Sequence, residues 1–293
     1  SCALRANGTV RCWGANDQGQ LGNNSLVDST DPVSVLLLAG VRSISAGTWH
    51  TCARRTGGNV VCWGDNQYGQ LGDGSELDSD VFRVVDNLND AVSVGAGGAH
   101  SCAVRASGAV VCWGRNASGQ LGNSSLTDST QTVNVDGLGN AVAVSLGSGH
   151  SCVLMRDGFV ACWGENSQGQ LGDGTTTDSD IPKLVHNLSG VVAVNAGSDH
   201  TCALKKDGSV VCWGDNQYGQ LGDGTTEDKL APVAVSGLSG VASVSTGGNF
   251  TCALKTDASA NCWGLNSLGA LGDGTTTSAS TPISVSGGAV YWK

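Results

Sequence analysis

Twelve cysteines are the residues of this chain with the clearest chemistry, and they form six pairs at one spacing. The members of each pair lie ten positions apart, and the pairs recur every 50 residues. Thiols at a fixed spacing can either form a disulfide or ligate a metal. The pairs are Cys2 with Cys12, Cys52 with Cys62, Cys102 with Cys112, Cys152 with Cys162, Cys202 with Cys212, and Cys252 with Cys262.

The register of a β-hairpin favours the disulfide. In the fifth pair, a three-residue loop over residues 206–208 places Cys202 opposite Cys212. Facing Cα atoms of antiparallel strands lie about 4.5–5.5 Å apart, which is within reach of a disulfide. Glycine ends this loop in five repeats and Ala258 replaces it in the sixth, so we expect the sixth turn to be the most strained. We predict one disulfide within each hairpin and an oxidising compartment for the chain.

Metal ligation is the alternative chemistry. No Cys-x-x-Cys occurs, and no second pair lies near any pair to complete a tetrahedron. One histidine recurs per repeat, and Phe250 takes its place in the sixth, so we expect these imidazoles to be structural. The acidic loops match no twelve-position calcium loop. We therefore predict no metal and no cofactor. The recurring histidines are His50, His100, His150 and His200.

The element that positions these residues is a β-rich repeat of 50 residues. The chain has 45 Gly, 4 Pro and one Met, and it lacks an apolar face with helical periodicity. A repeat of this length indicates a solenoid, a propeller or an array. Because the repeat continues without a break, we predict a single domain over residues 1–293.

The repeat also resembles a known family. Residues 196–222 read Ala-Gly-Ser-Asp-His-Thr-Cys-Ala-Leu-Lys-Lys-Asp-Gly-Ser-Val-Val-Cys-Trp-Gly-Asp-Asn-Gln-Tyr-Gly-Gln-Leu-Gly. This pattern resembles the regulator of chromosome condensation repeat, in the cysteine-containing form of bacterial secreted and surface proteins. The resemblance covers essentially the whole chain and implies an all-β fold, a β-propeller of four-stranded antiparallel blades. Family members commonly have seven blades, but six units predict six here.

Two further expectations follow from the repeat. The Trp and Asn that recur in every unit should pack between blades and tie down a turn, respectively. The first unit lacks its innermost strand, and residues 290–292 resemble the start of such a strand. We expect that segment to lie beside residues 1–4, either in the same molecule or in a neighbouring one.

Composition and motifs limit the function. No catalytic constellation stands out from the repeat, so we predict that the protein is not an enzyme. The net charge of −10 disfavours nucleic-acid binding, and the apolar runs are too short for a membrane span. The nucleotide exchange and enzyme inhibition that the resemblance suggests do not carry over residue by residue. We predict an extracellular, cell-surface or periplasmic protein that self-associates as a structural subunit of a filament or surface layer. The alternative is a module, or an enzyme inhibitor, that presents one loop face to a protein or glycan.

Glycosylation is a further possibility in an oxidising compartment. The chain contains six Asn-x-Ser/Thr sequons, of which the one at Asn116 falls on a recurring turn asparagine and is expected to be occupied by hydrogen bonds. Asn23, Asn123 and Asn187 are the better acceptors, because they lie in predicted surface loops. The remaining candidates are Asn7 and Asn249.

Overall fold

A computed structural model of the chain describes residues 1–286, which form 23 strands joined by turns and loops. This part of the chain contains no helix, and accordingly none that could cross a membrane. The strands form six sheets, and in each sheet the hydrogen-bonded order follows the chain order. The predicted six-bladed β-propeller of antiparallel blades is confirmed.

The six blades follow the six repeats. Blade 1 contains β1 (Cys2–Leu4), β2 (Val10–Gly14) and β3 (Ser29–Ser34). Blade 2 contains β4 (Val41–Ala46), β5 (His50–Arg55), β6 (Val60–Gly64) and β7 (Ser79–Val84). Blade 3 contains β8 (Ala91–Ala96), β9 (His100–Arg105), β10 (Val110–Gly114) and β11 (Ser129–Asn134). Blade 4 contains β12 (Ala141–Leu146), β13 (His150–Met155), β14 (Val160–Gly164) and β15 (Ser179–Leu184). Blade 5 contains β16 (Val191–Ala196), β17 (His200–Lys205), β18 (Val210–Gly214) and β19 (Lys229–Ala234). Blade 6 contains β20 (Val241–Thr246), β21 (Phe250–Lys255), β22 (Ala260–Gly264) and β23 (Ala279–Ser284).

Blade 1 has three strands within the described residues. The segment that we predict to complete it, residues 290–292, lies outside those residues.

The chain divides into two compact units. The first comprises Ser1–Ser151 and Ser179–Pro182, and the second comprises Cys152–Asp178 and Lys183–Lys293. The first unit contains the interfaces among blades 1, 2 and 3. The second unit contains the interface of blade 5 with blade 6, and also the contacts of blade 5 with residues 152–178 of blade 4.

The hairpin disulfides form in the predicted register. Cys202 faces Cys212, and the turn closes with a bond from the Gly208 amide to the Lys205 carbonyl. Gly208 has a φ of 78°, and Ala258 occupies the same left-handed region at 66°, which is the strain predicted for the sixth turn. All six pairs are bridged, with Cα atoms 4.0–4.1 Å apart. This distance lies just below the predicted range, beside the end that applies to a non-hydrogen-bonded pair, where strands come closest.

In blades 2, 3, 5 and 6, a tryptophan and a hydroxyl share one carbonyl of the preceding blade. At the interface of blades 2 and 3, Trp113 Nε1 and Ser101 Oγ donate to the Gln70 carbonyl at 2.8 and 2.9 Å. At the interface of blades 5 and 6, Trp263 and Thr251 donate in the same way to the Gln220 carbonyl. The indole rings of both tryptophans are fully buried. The recurring Trp is fully buried in blades 2 to 6, as predicted for a residue packed between blades, whereas Trp13 of blade 1 is half-buried.

The recurring histidines join the same network. His50 Nε2 lies 2.8 Å from Ser101 Oγ, whose own proton goes to the Gln70 carbonyl, so the imidazole donates this bond. His200 contacts Thr251 in the same way at 2.9 Å. Burial lowers the pKa of His50 and of His200 to about 4. In the described residues no group of three or more His, Cys, Asp or Glu side chains is placed to hold a metal.

Candidate functional site: an acidic loop surface

Two sets of loops lie at the same end of every blade, because adjacent strands are antiparallel. Long loops join the third strand to the outer strand, and short loops join the innermost strand to the second. We call this end the loop end, and the opposite end, which carries the disulfide hairpin turns, the hairpin end. The long loops are residues 15–28, 65–78, 115–128, 165–178, 215–228 and 265–278. The short loops are residues 47–49, 97–99, 147–149, 197–199 and 247–249.

Negative charge is concentrated at the loop end. The long loops hold 15 of the chain's 25 acidic residues but only one of its 15 Lys and Arg residues, Arg115. The hairpin turns, in contrast, carry three acidic and three basic residues. The long-loop acids are Asp17, Asp28, Asp65, Asp73, Glu76, Asp78, Asp128, Glu165, Asp173, Asp178, Asp215, Asp223, Glu227, Asp228 and Asp273.

A buried asparagine holds each long loop in place. Asn66 is fully buried, and its side-chain amide donates to the carbonyls of Ser75 and Leu77 at 3.0 and 3.1 Å. Its side-chain oxygen accepts the Leu71 amide, and its backbone amide donates to Asp78. The other five blades repeat this arrangement, with Ser278 in place of the aspartate in blade 6. The predicted turn-holding role of the recurring Asn is confirmed, and the loops are ordered platforms for their acidic side chains.

Replacing Asn66 by Ala should destabilise the protein by about 1–3 kcal/mol, because it removes several bonds of a buried side chain. Urea unfolding followed by tryptophan fluorescence would measure the loss. Replacing the exposed Gln67 next to it by Ala is the matched control and should leave the unfolding midpoint unchanged. Equal midpoints for the two variants would contradict the role given to Asn66.

A groove of about 630 Å³ lies between the loop ends of blades 1 and 2, and we call it the Trp49 groove. Blade 1 contributes Asp17 and Gln18 from its long loop. Blade 2 contributes Trp49 from its short loop, which is 44% exposed. The remaining lining residues come from the long loop of blade 2 and are Asp65, Gln67, Glu76, Leu77 and Asp78.

A second groove, of about 800 Å³, occupies the equivalent place between blades 4 and 5, and we call it the Asp199 groove. Asp199 stands where Trp49 stands in the first groove, and Glu227 stands where Leu77 does. The two grooves therefore share an acidic lining but differ in apolar content. The other residues of the Asp199 groove are Glu165, Ser167, Gln168, Asp215, Gln217, Tyr218, Thr226, Asp228 and Asn249.

The carboxylates of both grooves are held close to one another. Burial, with the nearby charges of Glu165 and Asp215, raises the pKa of Asp199 to about 6. Burial, with a contribution from Asp78, also raises the pKa of Asp65. Within residues 1–286, no recorded ion pair involves a carboxylate of the Trp49 groove. A bound cation would relieve the repulsion in either groove.

The one cation of the long loops occupies the next interface. Arg115 of blade 3 stands at the repeat position that Asp65 holds in blade 2. Its guanidinium lies over the ring of Tyr68 in blade 2, 5.4 Å from the ring centre. The interface of blades 2 and 3 thus contains a guanidinium–aromatic contact formed by the chain itself.

The predicted glycosylation sites differ in accessibility. Asn7 and Asn187 are exposed. Asn23 and Asn123 are half-buried, and each side-chain oxygen accepts a bond from the loop asparagine of its own blade. Asn249 is half-buried and lines the Asp199 groove.

Asn116 is fully buried with its amide engaged, as predicted. The twelve cysteines occupy the disulfides of the blades, away from both grooves.

Sequence reasoning identified the acidic loops but not the grooves. Trp49 was the available signal, because it is the only aromatic residue at its repeat position. The other repeats have Ala99, Gly149, Asp199 and Asn249 there.

Comparisons with known proteins agree with the fold. Residues 1–292 match the family model described as RCC1-like domain. Human WBSCR16 aligns with a TM-score of 0.87 at 23% identity, over 98% of this chain and 79% of that one. Prp20p from Saccharomyces cerevisiae, whose structure was reported with its binding properties to Gsp1p and histones, aligns with a TM-score of 0.68 at 22% identity, over 98% and 88%. The ectodomain of the receptor kinase CR4 from Physcomitrella patens aligns with a TM-score of 0.57 at 23% identity, over 90% and 60%.

Among curated proteins, no sequence match to the chain was found. The six disulfides indicate an oxidising compartment, and the propeller is a fold that supports protein interaction. The family-model match spans nearly every residue of the six repeats, and on that evidence the chain belongs to the RCC1-like domain family.

Proposed function

We propose that the protein is a non-enzymatic interaction module that binds a cationic protein partner through its loop end. The observation that carries this proposal is the segregation of charge, with fifteen carboxylates against one arginine in the long loops. A surface of one sign attracts a partner of the other and speeds its association. The loops are held by buried asparagines, so the surface needs little ordering before it binds.

The compartment that we propose is extracellular, at the cell surface or in a periplasm. All cysteines of the described residues are paired in six disulfides. This supports the proposal because cytosolic reductants keep cysteine thiols reduced. The acidic loop end would then meet partners in an oxidising medium.

Charge neutralisation tests the proposed binding surface. The probe is a fluorescein-labelled hexa-arginine peptide, and the variant is Asp17→Asn, Glu76→Gln and Glu165→Gln together. We expect affinity to fall about tenfold at low ionic strength, since each exposed ion pair contributes about 0.5 kcal/mol. Added salt should reduce the difference between variant and original protein. Fluorescence anisotropy would measure both effects.

The matched control neutralises three exposed aspartates of the hairpin end, Asp157→Asn, Asp207→Asn and Asp257→Asn, and should bind the peptide nearly as the original protein does. Equal losses in the two triple variants would show that binding depends on net charge alone. That result, or no binding of hexa-arginine by the original protein, would overturn the proposal.

The second candidate function is a structural subunit of an extracellular assembly such as a filament or surface layer. The outer strand of each blade is a sheet edge, which can pair with another chain. All four prolines lie in these edges, and proline blocks such pairing. Blades 2 and 3 have Phe82 and Thr132 at that position, so assembly through edges would use these two. The prolines are Pro32, Pro182, Pro232 and Pro282.

Oligomeric state distinguishes the two candidates. Multi-angle light scattering and negative-stain microscopy would show a monomer for an interaction module and polymers for an assembly subunit.

If glycans are attached, the exposed Asn7 and Asn187 are the positions where we expect them. Peptide mass spectrometry of protein from its natural source would locate them.

A further inference from the structure

We infer that the Trp49 groove binds an arginine side chain of the partner. This inference rests on the proposed function and specifies one site within the loop end. It starts from Trp49, an indole that is 44% exposed on a groove whose other side chains include four carboxylates. Exposed tryptophans in concave surfaces are typical of residues that dominate binding.

The groove offers the two interactions that a guanidinium uses. The indole face attracts a cation, and a planar guanidinium can stack on it. Carboxylates at the rim can accept its N–H groups, often two at a time. Asp65 and Asp78 are fixed for this role by bonds from the amides of Gln67 and Asn66, respectively. The backbone at Trp49 is held as well, because its carbonyl accepts the Asp65 amide at 2.9 Å.

The neighbouring interface shows the same chemistry within the chain. Between blades 2 and 3, Arg115 replaces the aspartate, and its guanidinium lies over the Tyr68 ring. Between blades 1 and 2, an aromatic ring and carboxylates are present, but the groove lining supplies no cation of its own. A partner's arginine would complete there the contact that the next interface makes internally. Arginine fits better than lysine, because only its planar group can both stack and bridge carboxylates.

The test uses capped tri-arginine and tri-lysine peptides with the intact protein. We expect tri-arginine to bind more tightly and to shift the Trp49 indole N–H resonance in the NMR spectrum of ¹⁵N-labelled protein. Trp49→Ala should weaken tri-arginine binding about 2- to 30-fold, the range expected for loss of a cation–π contact. It should also abolish the preference for arginine over lysine.

Two variants serve as controls. Trp49→Phe keeps an aromatic face and should retain most of the affinity, which separates the loss of stacking from any loss of folding. Asp199→Asn changes the same repeat position in the second groove and should leave the arginine preference unchanged. Thermal unfolding should confirm that all three variants fold, since Trp49 is a partly exposed loop residue.

The outcomes separate this inference from the proposed function. An unshifted Trp49 indole, equal binding of the two peptides, or full affinity in Trp49→Ala would overturn the arginine site. If the loop-end triple variant still lost hexa-arginine binding, the proposed function would stand without it. If no cationic peptide bound the original protein, both would fall.

Discussion

Reduction of the six disulfides is expected to unfold the protein at room temperature. Each bridge closes a loop with a sequence separation of 10, and a crosslink of that size contributes about 3 kcal/mol by restricting the unfolded chain. Six such crosslinks sum to about 18 kcal/mol. This is comparable with the entire stability of a typical domain, about 5–15 kcal/mol. Near-ultraviolet circular dichroism should show the buried tryptophans losing their fixed environment after reduction.

Removal of one bridge gives the graded version of this experiment. Cys102 and Cys112 are fully buried, so the double substitution Cys102→Ala and Cys112→Ala also leaves a small cavity. We expect this variant to remain folded but to lose about 2–4 kcal/mol in urea unfolding. A fully reduced protein with an unchanged melting temperature would contradict the stabilising role of the bridges.

The structure of each blade could be predicted because it is determined by residues close together in the sequence. The turn at residues 206–208 sets the register of its hairpin, and the register alone brings Cys202 opposite Cys212. The strained position Ala258 was visible for the same reason, since one repeat lacks the glycine that the turn requires. The number of blades followed from counting the sequence repeats. None of these steps needs knowledge of how blades pack.

The grooves could not be predicted in this way because they form between repeats. Asp17 and Asp65 belong to different repeats, and they line one groove because consecutive blades pack side by side. The repeat pattern presents both as solvated loop residues. Trp49 is not part of the repeat pattern, because it stands at a position where one repeat departs from the others.

The accessibility of individual sequon side chains could not be predicted from the sequence either, although the physical reason lies within one repeat. Asn23 and Asn123 lie in surface loops, but each loop folds back on its own buried asparagine and engages the sequon side chain. Loop position in a sequence therefore gives exposure of the segment, and not of each side chain within it.

Acidification below pH 6.5 is expected to destabilise the protein strongly. The folded-state pKa is about 4 for His50 and His200 and about 3 for His100, and burial is the main cause in each case. The histidines of the unfolded chain have a pKa near 6.5. Between pH 6.5 and about pH 4 they are therefore protonated in the unfolded state but not in the folded state. The contribution is complete above pH 6.5 and is lost as the pH falls. At pH 5 each histidine should lower the free energy of unfolding by about 2 kcal/mol, since one pKa unit corresponds to 1.36 kcal/mol.

One carboxylate opposes this trend. Asp199 has a raised pKa of about 6, so its folded form takes up a proton before its unfolded form does and gains stability on acidification. Three histidines outweigh one partly exposed aspartate, and the net slope should follow the histidines. Urea unfolding at half-unit steps from pH 4.5 to 7.5 would give that slope directly.

Phenylalanine at the histidine position of the fifth repeat provides the decisive variant. The sixth repeat already carries Phe250, whose ring lies against Gly247 as the His200 ring lies against Gly197. His200→Phe should therefore fit, at the cost of the bond to Thr251, whose hydroxyl still donates to the Gln220 carbonyl. The free energy of unfolding of this variant should depend less steeply on pH, because up to one fewer proton is taken up on unfolding. Below pH 6.5 the slope should fall by up to about 1.4 kcal/mol per pH unit. An unchanged slope would mean that His200 takes up its proton as readily in the folded state as in the unfolded state. The neutral, hydrogen-bonded imidazole assigned to the interface of blades 5 and 6 would then be wrong.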